Sequence, residues 1–244
     1  MLRIRIRSGG RGIAYTNIDV VKDAAINMLE AAGAPVALLS GPDARLWSVG
    51  AICSRKLAPR QGSTFPLRLA NEVVVSTPDP EIAAYLSKAD PSAMRKVQPA
   101  TGEDVDMSGA DIVPDVDPVV PGTSFIEAFA LTPILVSRKG DRGAGKWHGD
   151  VRQVDISQAV SHRLSRLSGR RVALSVAPDE LYLSGRGTHA VRVDVKATGG
   201  KPGVVVGMMF PFTILGSPDD LRLAWYAGIG ERNRQGFGLF GLAA

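Results

Sequence analysis

The chain has 244 residues, 45% of them hydrophobic, with a formal net charge of +5 and an isoelectric point near 9.6. That is enough apolar material for one large domain or two small ones, and it excludes a collagen-like or wholly disordered chain. A lone cysteine, Cys53, excludes an internal disulfide, and no apolar run approaches the roughly 18 residues of a membrane span. The opening MLRIRIRSGGRG lacks a signal-type apolar block, so a soluble, cytoplasmic, reduced protein with no membrane partner is expected.

In chain order, Leu2, Ile4 and Ile6 alternate with Arg3, Arg5 and Arg7, the period of a strand with one buried and one cationic face. Asn17 or Asp19 is placed to cap a helix over about 18–32, with Val20, Ala24, Met28 and Ala31 on one stripe and Gly33 beyond its end. Strands are predicted at Val36 to Leu39, Trp47 to Ile52 and Pro66 to Ser76. A helix follows from Pro80 to about Lys88, with a resumption from Pro91 to Val97.

Residues 99–121 hold six acids, Glu103, Asp104, Asp106, Asp111, Asp115 and Asp117, no Lys or Arg, and the breakers Gly109, Pro114 and Pro118. This composition predicts an exposed acidic linker between a domain at 1–98 and another at 122–244. Outside it the chain has 29 basic and 18 acidic side chains, so the linker masks a more basic body. In the second part, strands are predicted at Phe125 to Val136, Val172 to Val176, Leu181 to Leu183, Ala190 to Val195 and Val204 to Ile214. Helices are predicted at Ser157 to Ser168 and Pro218 to Ala227. The recurring strand and helix order gives an α+β fold of two ferredoxin-like halves in tandem.

Residues 140–146, GDRGAGK, have the spacing of a phosphate-binding loop, but Trp147 stands where a Ser or Thr would hold magnesium and no helix is predicted to follow. A cationic loop of Arg138, Lys139, Arg142 and Lys146 is the better reading, with a nucleotide triphosphatase as the minor one. The following helix has Ala159, Val160, Leu164 and Leu167 on its core side and His162, Arg163 and Arg166 on the other, with Arg170 and Arg171 just beyond. From Arg138 to Arg171 there are nine basic and three acidic residues with Trp147 among them, an electrostatic footprint for nucleic acid as well as an ordinary solvated face. His148, His162 and His189 are scattered without metal-ligand spacing, no GxSxG elbow is present, and no cofactor is implied.

The most specific segment is GIGERNRQGFG at 228–238. Gly228, Gly230, Gly236 and Gly238 permit close backbone approach, Ile229 and Phe237 anchor the loop, and Arg232 and Arg234 face outward. Its spacing and C-terminal position are not those of a dinucleotide fingerprint.

This loop resembles the C-terminal glycine-rich loop of the CRISPR repeat-RNA endoribonucleases of the RAMP superfamily. Leu131-Thr-Pro133 is similar to their strand-ending Ser-Pro element, and Gly207 to Trp225 to the strand and short helix that lead into the loop. The resemblance implies two ferredoxin-like domains, a repeat-RNA hairpin as partner and metal-independent cleavage by attack of a 2′-hydroxyl. It also implies retention of the product beside other effector-complex subunits. The histidine that many members place after the first helix corresponds to Ser40, and no histidine precedes His148. That departure resembles the repeat-processing subunit of type IV systems. It shifts the expected catalytic groups to Arg11, Tyr15 and Arg45, or leaves a guide-RNA-binding subunit that does not cleave.

Overall fold

The computed structural model describes residues 1–9, 13–15, 18–41, 44–59, 66–98, 103–138, 140, 146–185, 189–195 and 203–243. The first half runs β1 (Leu2–Arg7), β2 (Ile13–Tyr15), α1 (Asp19–Ala31), α2 (Val36–Leu39), β3 (Ser48–Pro59), β4 (Pro66–Thr77) and α3 (Pro80–Leu86). It continues through β5 (Arg95–Gln98), β6 (Glu103–Asp106) and β7 (Asp111–Pro114). β7, β1, β4 and β3 lie side by side and antiparallel, the fourth-first-third-second order of a ferredoxin-like sheet, and β2, β6 and β5 extend it. Helix α1 covers this sheet with Val20, Val21, Ala24, Ala25, Met28 and Leu29, all fully buried.

The second half repeats that order. It contains β8 (Phe125–Ala130), α4 (Ile156–Ser168), β9 (Leu174–Pro178), α5 (Glu180–Gly185), β10 (Ala190–Val195), β11 (Gly203–Met208), β12 (Pro211–Gly216), α6 (Pro218–Ala227) and β13 (Phe240–Leu242). β13, β8, β12 and β9 form the sheet, and β10 with β11 is a separate hairpin inserted between its second and third strands. The fold class is thus α+β, two ferredoxin-like halves in tandem.

Several predicted elements differ in the structure. The acidic stretch is not a free linker: β6 and β7 lie within it, and Val105, Met107 and Val119 are buried. Its acids neutralise basic residues, Asp115 pairing with Arg3 and Arg5 at 2.7 and 3.0 Å and Asp117 with Arg222 at 2.9 Å. On the cationic face of β1, Arg3 is correspondingly buried and Arg5 half-buried, and Arg7 alone remains exposed. Residues 36–39 and 180–185 are short helices, not strands, the latter because Asp179 accepts the Tyr182 amide as a cap. Residues 91–93 form one 3-10 turn and 95–98 a strand where a helix is predicted. β8 stops at Ala130 because the Leu131 and Thr132 amides turn to the Leu239 carbonyl. The apolar run 204–214 divides at Met208 between the inserted hairpin and the second sheet.

Buried Arg3 joins the halves. Its Nε donates to Asp115, its Nη1 to the Trp225 carbonyl at 3.0 Å and its Nη2 to the Phe240 carbonyl at 2.6 Å, with the guanidinium 3.8 Å above the Trp225 ring. The Ser76 hydroxyl adds a bond to the Tyr226 carbonyl at 2.9 Å. Both halves are therefore held as one body at the start of the C-terminal loop.

Candidate functional site

The loop that follows α6 folds back on itself through Asn233, whose amide Nδ2 donates to the Ile229 and Phe237 carbonyls at 3.1 and 2.9 Å. The Ile229 amide closes the neck on the Gly238 carbonyl at 2.8 Å, and the Glu231 amide ties the loop to the Leu135 carbonyl, also at 2.8 Å. Gly236 has φ of +95°, and a β-carbon there would overlap the Ile18 side chain at the start of α1. The glycine therefore lets the loop sit directly against the first half. Arg232, with φ of +58°, is the one non-glycine described residue in the left-handed region. Its guanidinium lies 4.9 Å from the Trp147 ring centre, and the Lys146 ammonium 5.2 Å.

The loop forms one wall of a groove of about 480 Å³. Lys22 and Ile26 of α1 and the end of α2 at Leu39, Ser40 and Gly41 face it, and Arg163, Arg166 and Leu167 of α4 complete the lining. Five cations, Lys22, Arg163, Arg166, Arg232 and Arg234, share this lining with one carboxylate, Glu231. That carboxylate is itself engaged, accepting from the Ser137 amide at 2.8 Å and hydroxyl at 2.5 Å. Burial pushes the Arg163 guanidinium down to about 10, with Glu231 opposing the shift and Arg166 and Arg234 adding to it. Burial likewise lowers Arg234. In both residues Nη1 is withdrawn from water with no hydrogen-bond partner among the described residues. Cations arranged this way are suited to an anion that supplies the missing acceptors and removes the mutual repulsion.

Ser40 lies in the groove, opposite the arginine-bearing loop, and its hydroxyl donates to the Val36 carbonyl at 3.3 Å. Gly228, Gly230 and Gly238 shape the loop and are fully enclosed by it; a β-carbon on Gly230 would meet the Leu135 carbonyl at 2.7 Å. Lys22 and Asn233, not singled out in the sequence, prove integral to the site. The second carried a signal, because an Asn at the centre of a five-residue span between glycine pairs is the side chain able to bond both limbs.

Other predicted residues fall elsewhere. Tyr15 is buried, its hydroxyl donates to the Ala51 carbonyl at 3.4 Å, and burial drives its phenol far above the ordinary range, so it presents no group to a substrate. Trp147 is a core residue at 5% exposure packed with Leu135, Val193 and Val195, which removes it as a stacking platform for a base. Arg45 sits 3.8 Å from Glu81 and does not line the groove. Arg170 is taken by Asp220 and the Asp219 carbonyl, an internal clamp at the start of α6. Arg171 lines a separate shallow depression beside β9, and Arg138 donates to Gln153 at 3.3 Å. Arg11, Lys139 and Arg142 lie outside the described residues.

Two ferredoxin-like sheets of the same strand order are joined so that a glycine-rich loop closes a cationic groove between them. Residues 122–242 match the family described as CRISPR associated protein Cas6, C-terminal. Its fold is similar to that of an RAMP protein binding different RNA substrates, at a TM-score of 0.64 and 16% identity over 100% of both chains. It is also similar to the product of a Cas6-related gene from Pyrococcus furiosus, at 0.65 and 14% over 99% of this chain and 98% of that one. A Cas6 product complex gives 0.54 and 12% over 99% and 98%. No curated protein matches the sequence.

Proposed function

We propose that this chain binds CRISPR repeat hairpins in precursor guide RNA along the groove and cleaves them without a metal ion. In this reading the product then stays bound as part of an effector complex. The observation that carries this is the pair of withdrawn guanidinium nitrogens on Arg163 and Arg234, without hydrogen-bond partners among the described residues, on a groove lined by five cations and one engaged carboxylate. A phosphodiester supplies the charge and the acceptors this arrangement lacks. Hairpin RNA suits it, because the shallow groove and phosphates of a stem are within reach of side chains whereas its deep groove is not.

Cleavage proceeds by attack of a ribose 2′-hydroxyl on the adjacent phosphorus. The 2′-oxygen-to-phosphorus bond forms, the bond to the 5′-oxygen breaks, a 2′,3′-cyclic phosphate remains, and the hydroxyl proton passes to solvent while the 5′-oxygen takes one from it. Arg163, Arg232 and Arg234 stabilise the charge of the phosphorane and hold the attacking group in line. Ser40 acts as no base, since a neutral hydroxyl holds an added proton far too weakly near neutral pH. The rate against pH is then expected to show no break near 6.5, where a histidine base would impose one.

The position of Ser40 favours a second reading, in which the chain only binds and displays guide RNA. A labelled repeat hairpin incubated in EDTA separates the two. A fragment ending in a cyclic phosphate establishes the first, intact RNA retained on the protein establishes the second, and absence of binding removes both.

A further inference from the structure

Helix α4 presents Arg163 and Arg166 to the groove, and another flank of the same helix carries Ser157, Ser161 and Ser165, spaced by four residues. Each serine makes the same reciprocal pair of bonds with the free side of β9 or, for Ser165, of the extended segment that leads into it. The Val176, Leu174 and Val172 amides donate to the hydroxyls of Ser157, Ser161 and Ser165 at 2.9, 2.9 and 2.8 Å. Those hydroxyls donate back to the carbonyls of the same three residues at 3.4, 3.0 and 3.3 Å. Among the described residues β9 is paired only with β12, at the edge of its sheet, so these backbone groups have no strand neighbour there.

The fit is geometric. Four residues of helix rise about 6 Å, and two residues of strand span about 6.6 to 6.8 Å. Serines at every fourth position therefore meet alternate residues of an antiparallel strand, rung for rung, and the helix takes the place of a missing strand. A short side chain that both accepts and donates is required, which a hydroxyl supplies. Serine in a helix more often bonds back to its own turn, as Ser168 does to the Leu164 carbonyl at 2.7 Å.

At 3.6 residues per turn the three serines span an arc of about 80°, and Arg163 and Arg166 lie roughly 140 to 160° from its midpoint. The buried contacts of Val160 and Leu164 are non-directional and tolerate small rotations of the helix. The directed bonds to β9 do not. We propose that Ser157, Ser161 and Ser165 are positioning residues for the groove: by pinning α4 to β9 as a surrogate strand, they set the rotation that aims Arg163 and Arg166 at the phosphate. This rests on the groove being the RNA site.

The test compares repeat-hairpin affinity and its salt dependence for folded Ser161→Ala, Ser161→Thr, Ser168→Ala, Arg166→Ala and the Ser161→Ala, Arg166→Ala double variant. Ser161→Ala is expected to weaken binding about three- to tenfold, Ser161→Thr to restore most of it, and Ser168→Ala to leave it unchanged. On the Arg166→Ala background the effect of Ser161→Ala should shrink, because one of the two residues being aimed is gone. A purely structural role would lower the melting temperature of Ser161→Ala and leave affinity intact, or give the same loss on both backgrounds; either result overturns the proposal. Should Ser161→Ala fail to fold, Ser157→Ala on the first turn of α4 gives the same comparison. If Arg163→Ala and Arg166→Ala bind RNA like the parent, the groove reading fails and the proposal with it. If they weaken binding while the serine variants do not, only the proposal fails.

Discussion

Arg3 and Arg163 are both withdrawn from water, and burial holds both guanidinium groups down to about 10, yet they do opposite things. Arg3 spends its nitrogens on Asp115 and on the Trp225 and Phe240 carbonyls, so its desolvation is offset within the fold. Arg163 keeps Nη1 without an acceptor among the described residues and has Arg166 and Arg234 for neighbours. A withdrawn cation with its partners built in is a fastener, whereas one without them has room in its bonding for an anion.

The largest expected effect tests the fastener. Arg3→Met leaves Asp115 with Arg5 alone and takes the donors from the Trp225 and Phe240 carbonyls between the halves, and it should destabilise the protein by about 3–5 kcal/mol in denaturant titrations. Arg163→Met should instead leave stability equal to or above that of the parent, while hairpin affinity falls about tenfold or more and the salt slope shrinks by about one unit. If both variants unfold alike, the distinction between the two arginines is lost.

A smaller effect is expected for Gly236→Ala. The left-handed backbone and the contact with Ile18 should reduce stability by about 1–3 kcal/mol and loosen the loop, seen as faster exchange of the Glu231 amide. Smaller again is the change for Arg170→Ala, which should lower the melting temperature and leave the salt slope unaltered, because Arg170 is bonded to Asp220 and the Asp219 carbonyl.

The smallest effect is a pH dependence away from the groove. His189 accepts the Val151 amide on Nε2 at 2.8 Å, and burial lowers its pKa below 6.5, with Asp150 opposing. The fold therefore prefers the neutral ring. Stability should be flat above about 6.5 and fall below it, because the unfolded chain takes up the proton first and the folded chain only at lower pH. Chemical denaturation between pH 5 and 8 should show this slope, and His189→Gln should flatten it.

Much of the architecture was legible in the chain because local periodicity and breakers dictate it. The helices at 19–31, 156–168 and 218–227 and the strand at 66–77 follow from apolar spacing with Asp155 and Ser217 as caps of the later two. The acidic stretch was misread because composition resembles a linker equally whether the acids face water or meet Arg3, Arg5 and Arg222. Arg163, Arg166, Arg232 and Arg234, which clustering and the glycine pattern single out, line the groove together, but which side chains surround them is not legible in the sequence. Trp147 and Tyr15 were misassigned for one reason: an aromatic in a basic segment reads the same whether its ring is open or covered by the other half of the molecule. The serines of α4 went unnoticed, since a four-residue serine spacing acquires meaning only when a strand edge lies beside it.

By itself the sequence determined the tandem α+β halves, the basic character of the second half and the glycine-rich loop at 228–238, because each depends on residues near one another along the chain. Only the tertiary structure decided which cations are fasteners and which are free for a ligand. Desolvation and hydrogen-bond partnership depend on groups more than a hundred residues away, as when Arg3 meets Trp225 and Phe240. The same holds for Ser40, which faces an arginine-lined loop nearly two hundred residues further along the chain only because the two sheets pack with α1 against Gly236.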